Sequence, residues 1–266
     1  VYIKFWGVRG SVPSGNPETV KVGGNTTCVE IRCGEELIVI DTGTGFRNLG
    51  MALMKELPIK GTILYSHVHW DHIQGFPFFT PFFVPGNEFR VFGGTSLPTT
   101  VEEVLKQQMA PPCFPVKTDL FGANISYHDV KPGEVIEGEN YKVSLAPLYH
   151  PNGCYAYRVD HEGQSLVFAT DCEHYEDKPS RNLIELCRDA DMLVYDSQYT
   201  DDEYNGLNGE FSRKDWGHST MREGIKVAET ANVEKFVLFH HDPTHNDEFI
   251  QKIEAEARQL FPKSIA

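Results

Sequence analysis

The sequence predicts an α/β fold in which two β-sheets are covered by helices within one domain. Apolar segments of strand length recur along the whole chain of 266 residues, bounded by Gly, Pro or Asp. A few segments with helical periodicity stand between groups of these strands. No internal repeat or low-complexity linker interrupts the pattern, so we expect a single domain over residues 1–266.

The predicted strands are rich in Val, Ile, Phe and Tyr. In chain order they are YIKFWGV (2–8), TCVEIRC (27–33), ELIVID (36–41), GTILYSH (61–67), FRVFGG (89–94), KVSLAPL (142–148), YAYRVD (155–160), SLVFAT (165–170), MLVYDS (192–197) and KFVLFHH (235–241). Segments of this composition and length are typical of buried strands.

Helices are predicted at 99–109, 218–231 and 247–260. The first places Val101, Val104, Leu105 and Met109 on one face, and the third aligns Ile250, Ile253, Ala257 and Leu260. The second begins with Thr220 and has Glu223 three residues later, which is the capping-box pattern of a helix start.

Composition excludes some classes of function. A net charge of −14 argues against a strong nucleic-acid surface. No apolar run approaches the roughly 18 residues of a membrane span. The six cysteines form no C-x-x-C pair and no signal peptide is evident, so we expect reduced thiols and a cytoplasmic location.

Four apolar strands are followed directly by side chains that bind metals. ELIVI leads to Asp41, GTILYS to His67, SLVFAT to Asp171, and KFVLF to His240. Rigid strands commonly deliver catalytic groups into the loops that follow them, so we expect a site at these ends.

The stretch SHVHWDH, residues 66–72, is the strongest metal signal. Imidazole nitrogens and carboxylate oxygens both suit zinc and similar ions. In an extended loop His67 and His69 point the same way, whereas Asp71 and His72 can turn towards a second point. The stretch therefore predicts a site for two ions, the alternative being a polar loop with accidental histidines.

Two ions need further ligands, and three more positions are candidates. His150 follows a strand, although it is also a plausible turn histidine before Pro151. Asp171 can bridge two cations, which offsets the cost of burying its charge, or can simply cap a turn. Of the doublet His240 and His241, only one is expected to face the metals.

This set of motifs resembles the metallo-β-lactamase fold. FWGVRGSVP, GGNTTCVEI and LIVIDTGTG resemble the opening strands of its ribonuclease Z-like branch, and FHHDPTHNDE resembles the closing pattern H-x-x-P-x-H-x-D-E, which aligns His240 with the ligand. The resemblance implies an αββα sandwich of two mixed β-sheets flanked by helices. It also implies one ion on His67, His69 and His150, and a second on Asp71, His72 and His240, with Asp171 between them.

The resemblance also implies a reaction. Two divalent ions hold a bridging hydroxide and clamp the attacking and leaving oxygens. Zinc is the first expectation for both ions, and manganese or iron accept the same ligands. No cysteine stands at these ligand positions, so phosphoester hydrolysis is favoured over β-lactam hydrolysis.

The segment GHST, residues 217–220, carries a candidate general acid. In ribonuclease Z-like enzymes a similar histidine protonates the leaving oxygen and is held by an upstream acidic residue, which implies His218 and Asp196 here. The chain departs from that pattern in having Asp196 where the branch often has Glu, and Tyr195 where it has a preceding His. Asp71, His218 and Asp196 are thus the predicted catalytic residues, unless Ser219 or Thr220 merely caps the helix.

A small phosphodiester such as a cyclic nucleotide is the predicted substrate. Ribonuclease Z grips RNA with an arm inserted between the lone His and the bridging Asp, whereas His150 and Asp171 stand only 21 residues apart, enough for a strand hairpin. Three alternatives stay open: an RNA-processing nuclease, a hydrolase of a thioester, lactone or lactam, and a redox protein with an iron pair.

The segment IQGFPFFTPFFVPG, residues 73–86, is unusually aromatic. Its phenylalanines (Phe76, Phe78, Phe79, Phe82 and Phe83) could stack a nucleobase, form a homodimer patch, or belong to the core.

Overall fold

The computed structural model describes residues 1–174, 180–209 and 211–266, and the chain divides into two compact units. The first unit comprises Val1–Gly7 and Asn25–Lys131, and the second comprises Val8–Gly24 and Pro132–Ala266. Each unit holds one mixed β-sheet with its own helices. The predicted architecture of two mixed sheets flanked by helices is confirmed. The prediction of a single domain over residues 1–266 stays a prediction.

The first unit contains a six-stranded sheet in the order β1-β2-β3-β4-β5-β6. The strands are β1 (Tyr2–Gly7), β2 (Cys28–Cys33), β3 (Glu36–Ile40), β4 (Lys60–Leu64), β5 (Glu88–Gly93) and β6 (Asn124–Asp129). The pairs up to β3 are antiparallel, and those from β3 to β6 are parallel. The carboxyl ends of β3 and β4 therefore meet at one edge, which brings Asp41 near the loop that starts at His67.

The helices of the first unit include α1 (Gly45–Leu53), α2 (Trp70–Ile73) and α3 (Val101–Gln108), with 3-10 turns at Phe76–Phe78, Thr80–Phe83 and Thr118–Leu120. Thr100 caps α3 by accepting from the Glu103 amide. As predicted, Val101, Leu105 and Met109 are buried, and Val104 packs partly against the same core.

The aromatic segment after α2 is mostly core. Phe76, Phe79 and Phe82 are fully buried, and the Phe79 ring stacks on Phe46 at 3.8 Å between centroids. Phe78 and Phe83 remain 54% and 37% exposed. The core interpretation therefore holds for three of the five rings, and only the two exposed ones are left for a ligand or a homodimer.

The second unit contains a seven-stranded sheet in the order β13-β12-β11-β10-β9-β8-β7. The strands are β7 (Val135–Glu137), β8 (Lys142–Leu148), β9 (Cys154–His161), β10 (Gln164–Ala169), β11 (Met192–Asp196), β12 (Lys235–Phe239) and β13 (Ser264–Ile265). The pairs up to β10 are antiparallel, and those from β10 to β13 are parallel. The carboxyl ends of β10, β11 and β12 share one edge, where Asp171, Asp196 and His240 lie.

The helices of the second unit include α4 (Arg181–Cys187), α5 (Asp201–Asn205), α6 (Met221–Thr230) and α7 (Asp247–Leu260), with a 3-10 turn at Pro17–Thr19. Thr220 caps α6 by accepting from the Glu223 amide, as predicted. In α7 the stripe was expected to include Leu260, which is wrong: this residue is 43% exposed at the end of the helix, while Phe261 packs on the core instead.

All ten predicted strands are present, and the sequence missed β6, β7 and β13. Their side chains are largely exposed or polar, so they lack the apolar signal that marks a buried strand. All six cysteines are free thiols. Within the described residues, none of the helices combines the length and apolar character needed to traverse a bilayer.

Candidate metal centre

The first unit gathers four candidate ligands just beyond β4. His67 follows the strand, His69 precedes α2, and Asp71 and His72 lie in the first turn of that helix. The His67 ring centroid lies 4.4 Å from that of His69 and 4.2 Å from that of His72. The Asp71 carboxylate lies 3.3 Å from Nε2 of His72. The dense motif thus forms one cluster rather than a spread-out polar loop.

Asp41 and Ser66 orient the histidines of this cluster. Nδ1 of His72 lies 2.7 Å from Asp41, whose carboxylate also accepts from the amide and hydroxyl of Ser66. Nδ1 of His67 lies 3.1 Å from the Ser66 hydroxyl. Burial raises the pKa of Asp41, while His72 and Ser66 oppose that shift. With Nδ1 engaged, Nε2 is the nitrogen that each ring offers to a metal.

In the second unit, the candidate ligand Asp171 lies just beyond the carboxyl end of a strand. It follows β10 with a left-handed φ of +54°. One carboxylate oxygen lies 3.8 Å from Nε2 of His150, and the other lies 3.3 Å from Nε2 of His240. The two oxygens of Asp171 therefore face two different imidazoles.

His150 and His240 are also held through Nδ1. The His150 nitrogen donates to the carbonyl of Gly217 at 2.7 Å, and the His240 nitrogen lies 2.7 Å from the amide oxygen of Gln198. Gly10 lies against the His240 ring, where a Cβ would come within 2.5 Å of it. The opening motif FWGVRGSVP therefore has a glycine at a position where any side chain would collide with the His240 ring.

The donor sets of both units fit a divalent metal ion. Buried imidazole nitrogens and carboxylate oxygens are ligands for zinc, manganese and iron, and fixed Nδ1 partners are typical of ligating histidines. Within the second unit, Asp171 faces His150 and His240, while Nδ1 of His218 is turned to Asp196 at 2.9 Å.

His218 and Asp196 form a hydrogen-bonded pair, as the resemblance implied. Nδ1 of His218 lies 2.9 Å from the fully buried carboxylate of Asp196. The His218 ring stacks on that of His240 at 5.0 Å between centroids. Thr220 caps α6 at the same time, so capping and the histidine pair coexist.

Tyr195, the departure from the family pattern, is bonded to Ser219 rather than to His218 or Asp196. It is 2% exposed, and its hydroxyl donates to the Ser219 hydroxyl at 3.2 Å. Asp196 holds His218 directly. Asp196 also accepts from the amides of Gln198 and Ser219, which fixes its own position.

His240 and His241 lie in different environments. The side chain of His240 reaches Asp171, whereas the backbone of His241 pairs with Val8 and Gly10. Burial and the neighbouring Arg9 guanidinium lower the pKa of His241 to about 3. A second cation beside Arg9 would be repelled, so this environment disfavours a metal at His241.

The closing motif PTHNDE is a structural anchor. Nε2 of His245 lies 2.9 Å from Glu203 in α5, and the Asp247 carboxylate accepts from the amides of Lys21 and Val22. Arg9 donates to the carbonyls of Asp242 and His245. These bonds fix the segment that follows His240.

Glu203 should make part of the stability depend on pH. Burial raises its pKa, but hydrogen bonds from His245 and Thr200 outweigh that effect and lower the pKa to about 2. A carboxyl group whose pKa is lower in the folded than in the unfolded state stabilises the fold. This stabilisation is complete at pH values above the unfolded pKa of about 4.3 and is lost as the pH falls towards 2.

We therefore expect Glu203→Gln to lower the free energy of unfolding by roughly 1–2 kcal/mol at pH 7, after allowing for partial solvent screening. Urea unfolding of both proteins from pH 7 to pH 2.5 should show the difference shrinking in acid. The exposed Glu229→Gln is the matched control. A difference that stays constant with pH would contradict this role.

Sequence reasoning missed the residues that orient the candidate ligands. It found Asp41 as a strand-end carboxylate but not as the partner of His72, and it assigned no role to Ser66, Gln198 or the Gly217 carbonyl. Gln198 stands two residues after Asp196 in the same strand-end loop, which is the one local signal that pointed to it.

Comparison with known proteins identifies the family. A family model described as the beta-lactamase superfamily domain matches residues 36–241. This chain belongs to the beta-lactamase superfamily. A ribonuclease Z from Methanothermobacter thermautotrophicus is 24% identical to it over 98% of this chain and 92% of that protein.

Two solved structures have a similar fold. The Zn²⁺-bound PqqB from Methylobacterium extorquens has a TM-score of 0.71 at 14% identity, over 98% of this chain and 96% of that one. A diphosphatase of the PhnP family has a TM-score of 0.66 at 22% identity, over 94% and 90% of the two chains. The predicted metallo-β-lactamase fold is confirmed, and so is the class of metal-dependent hydrolase.

Proposed function

We propose that this protein is a phosphodiesterase that hydrolyses a small phosphodiester, with cyclic nucleotides as the first class to test. The observation that carries the proposal is the His218–Asp196 pair, 2.9 Å apart and beside the candidate ligands His240 and Asp171. A thioester expels a thiolate, which can leave without a proton, whereas a sugar alkoxide is a poor leaving group that needs an acid.

The proposed cofactor is a pair of divalent ions, with zinc as the first expectation because the related PqqB structure is described as Zn²⁺-bound. The proposed ligands are His67, His69 and His150 for one ion, Asp71, His72 and His240 for the other, and Asp171 for both. The fixed Nδ1 atoms and the two-sided contacts of Asp171 support this allotment.

The residues of this chain would then divide the chemistry. When bound, the metal ions supply Lewis acidity that activates water and neutralises charge on the phosphoryl oxygens. Asp196 holds the Nδ1 proton of His218 and stabilises its imidazolium form, so that Nε2 can give a proton to the leaving oxygen. All the proposed ligands except the half-buried His69 are buried, which limits bulk water around them and strengthens these interactions.

A ribonuclease is the second candidate, because the ribonuclease Z relative aligns over nearly the whole chain. Two observations favour the small substrate. The region between His150 and Asp171 is a β9–β10 hairpin closed at Glu162 and Gly163, which leaves no room for an inserted arm. The net charge of −14 offers little to neutralise an RNA backbone.

A substrate screen tests the proposal. Purified, metal-loaded protein would be assayed with bis-p-nitrophenyl phosphate, the common cyclic nucleotides, a 3′-extended tRNA precursor, a lactone and a thioester. Turnover of a cyclic nucleotide well above that of the tRNA precursor is the expected result. Preferred cleavage of the precursor would establish the ribonuclease instead, and activity confined to the lactone or thioester would overturn both.

Which of the adjacent residues His240 and His241 binds metal is the subject of a separate prediction. His240→Ala should release one metal ion, because it removes an imidazole that faces Asp171. His241→Ala should retain both ions, since its neighbour Arg9 disfavours a cation. Elemental analysis of the two variants checks this. Metal loss in His241→Ala with retention in His240→Ala would reverse the assignment.

A further inference from the structure

We propose that Glu173 is a positioning residue that holds the segment 215–217 in place and thereby sets both the His150 imidazole and His218. The proposal rests on the proposed metal site, since it concerns a ligand and the acid of that site. Sequence reasoning gave Glu173 no role, although it stands two residues after Asp171.

The Glu173 carboxylate is buried and receives three donors. It is 7% exposed. One oxygen accepts from the Tyr204 hydroxyl at 2.7 Å and from the Asp215 amide at 2.7 Å, and the other accepts from the Gly217 amide at 2.9 Å. Hydrogen bonds to a charged acceptor are about twice as strong as neutral ones, so this carboxylate is a firm anchor for the segment.

Gly217 transmits this anchoring to His150. Its amide donates to Glu173, and its carbonyl accepts from Nδ1 of His150 at 2.7 Å. The residue has a φ of +86°, and a Cβ here would come within 2.2 Å of Nδ1 of His150. Glycine adopts positive and negative φ values about equally well, so Gly217 does not fix its own conformation. The hydrogen bond from its amide to Glu173 therefore helps to direct its carbonyl towards His150.

The same anchor bears on His218, which follows Gly217 directly. The His218 ring must meet Asp196 on one side and lie along the His240 ring on the other. A shift of the preceding peptide by about 1 Å would move this ring from both partners, and misplacements of that size are costly in catalysis. One carboxylate thus fixes a metal ligand and the proton donor together.

Removal of Glu173 should therefore weaken metal binding. Loss of a group that orients a ligating histidine typically lowers metal affinity by 10–100-fold. Glu173→Ala frees both amides. Glu173→Gln keeps one carbonyl oxygen, so it can still accept from one of them, and we expect it to recover part of the loss.

Tyr204→Phe is the matched control. It removes the third donor to the same carboxylate but leaves the amides of Asp215 and Gly217 bonded to Glu173. If the role of Glu173 is positioning, this variant should keep the metal affinity and the amide protection of the wild type.

The experiment measures two quantities that do not depend on turnover. The dissociation constant of Zn²⁺ is obtained by chelator competition on the metal-loaded protein, and hydrogen exchange is followed at the amides of Asp215 and Gly217. We expect Glu173→Ala to raise the dissociation constant by about 10–100-fold and to speed exchange at both amides, with Glu173→Gln intermediate.

Wild-type affinity and exchange in Glu173→Ala would overturn the proposal, as would an equal loss in Tyr204→Phe. If the alanine variant fails to fold, the same measurements on Glu173→Gln decide: unchanged affinity and exchange would overturn it. Failure of the phosphodiesterase proposal looks different, because the wild type would bind metal normally yet hydrolyse no diester.

As a third readout, activity separates the effect of Glu173 on the metal ligand His150 from its effect on the acid His218. With metal ions in excess, Glu173→Ala should lower kcat for a cyclic nucleotide while KM stays near that of the wild type, because His218 rather than substrate binding is displaced. Glu173→Gln should restore part of kcat. A change confined to KM would place Glu173 in substrate binding and contradict the positioning role.

Discussion

Asp71→Ala is expected to reduce the metal content from about two ions per chain to one and to remove nearly all hydrolysis. The Asp71 carboxylate is 6% exposed and lies 3.3 Å from Nε2 of His72, so both groups face the same point. Metal catalysis contributes several kcal/mol to transition-state stabilisation. A loss of about 4 kcal/mol corresponds to roughly a 10³-fold drop in turnover.

Elemental analysis together with turnover of bis-p-nitrophenyl phosphate checks this result. Asp119→Ala is the matched control, because it removes an exposed carboxylate in a 3-10 turn of the same unit. The control should keep both ions and full activity. A fully active protein with no bound metal would refute the whole centre, and retention of both ions by Asp71→Ala would remove Asp71 from it.

His218→Ala is expected to lower turnover of a natural diester by about 10²–10⁴-fold while sparing bis-p-nitrophenyl phosphate. As water attacks phosphorus, negative charge builds on the departing oxygen. A sugar alkoxide has a high pKa and leaves slowly unless it receives a proton. The nitrophenolate leaving group needs none, so the effect of losing the acid should nearly vanish with it.

Comparison of kcat on a cyclic nucleotide and on the aryl substrate provides the test, with metal content measured alongside. Since His218 is assigned as the acid rather than a ligand, both ions should remain. His128→Ala, an exposed histidine on β6, is the control and should match the wild type on both substrates. Equal losses on the two substrates would mean that His218 binds phosphate or shapes the site.

Asp196 should give a weaker form of the same pattern, because it orients His218 without touching the substrate. Asn is the cleaner replacement, since Asp196 also accepts from the amides of Gln198 and Ser219 and alanine would leave both unpaired. Asp196→Asn should slow the cyclic nucleotide more than the aryl substrate, by less than His218→Ala does.

The sequence by itself determined the buried strands, three of the helices and the chemical class of the site. Buried strands such as β4 and β12 carry an unbroken apolar signal, and the side chains that follow them are ligand types at local spacing. His67, His69, Asp71 and His72 stand within six positions, so one short segment was enough to predict a metal cluster. The family resemblance added the remote members, and it placed Asp196 beside His218, as the structure shows.

Only the tertiary structure decided which groups hold those ligands and which aromatic rings are core. His150 meets the Gly217 carbonyl across 67 residues, and His240 meets Gln198 across 42. Likewise, Phe79 is buried and its neighbour Phe78 is exposed, although both stand in one aromatic run. Hydrogen-bond partners and burial depend on which strand ends and loops come together, and local composition carries no record of contacts made so far along the chain.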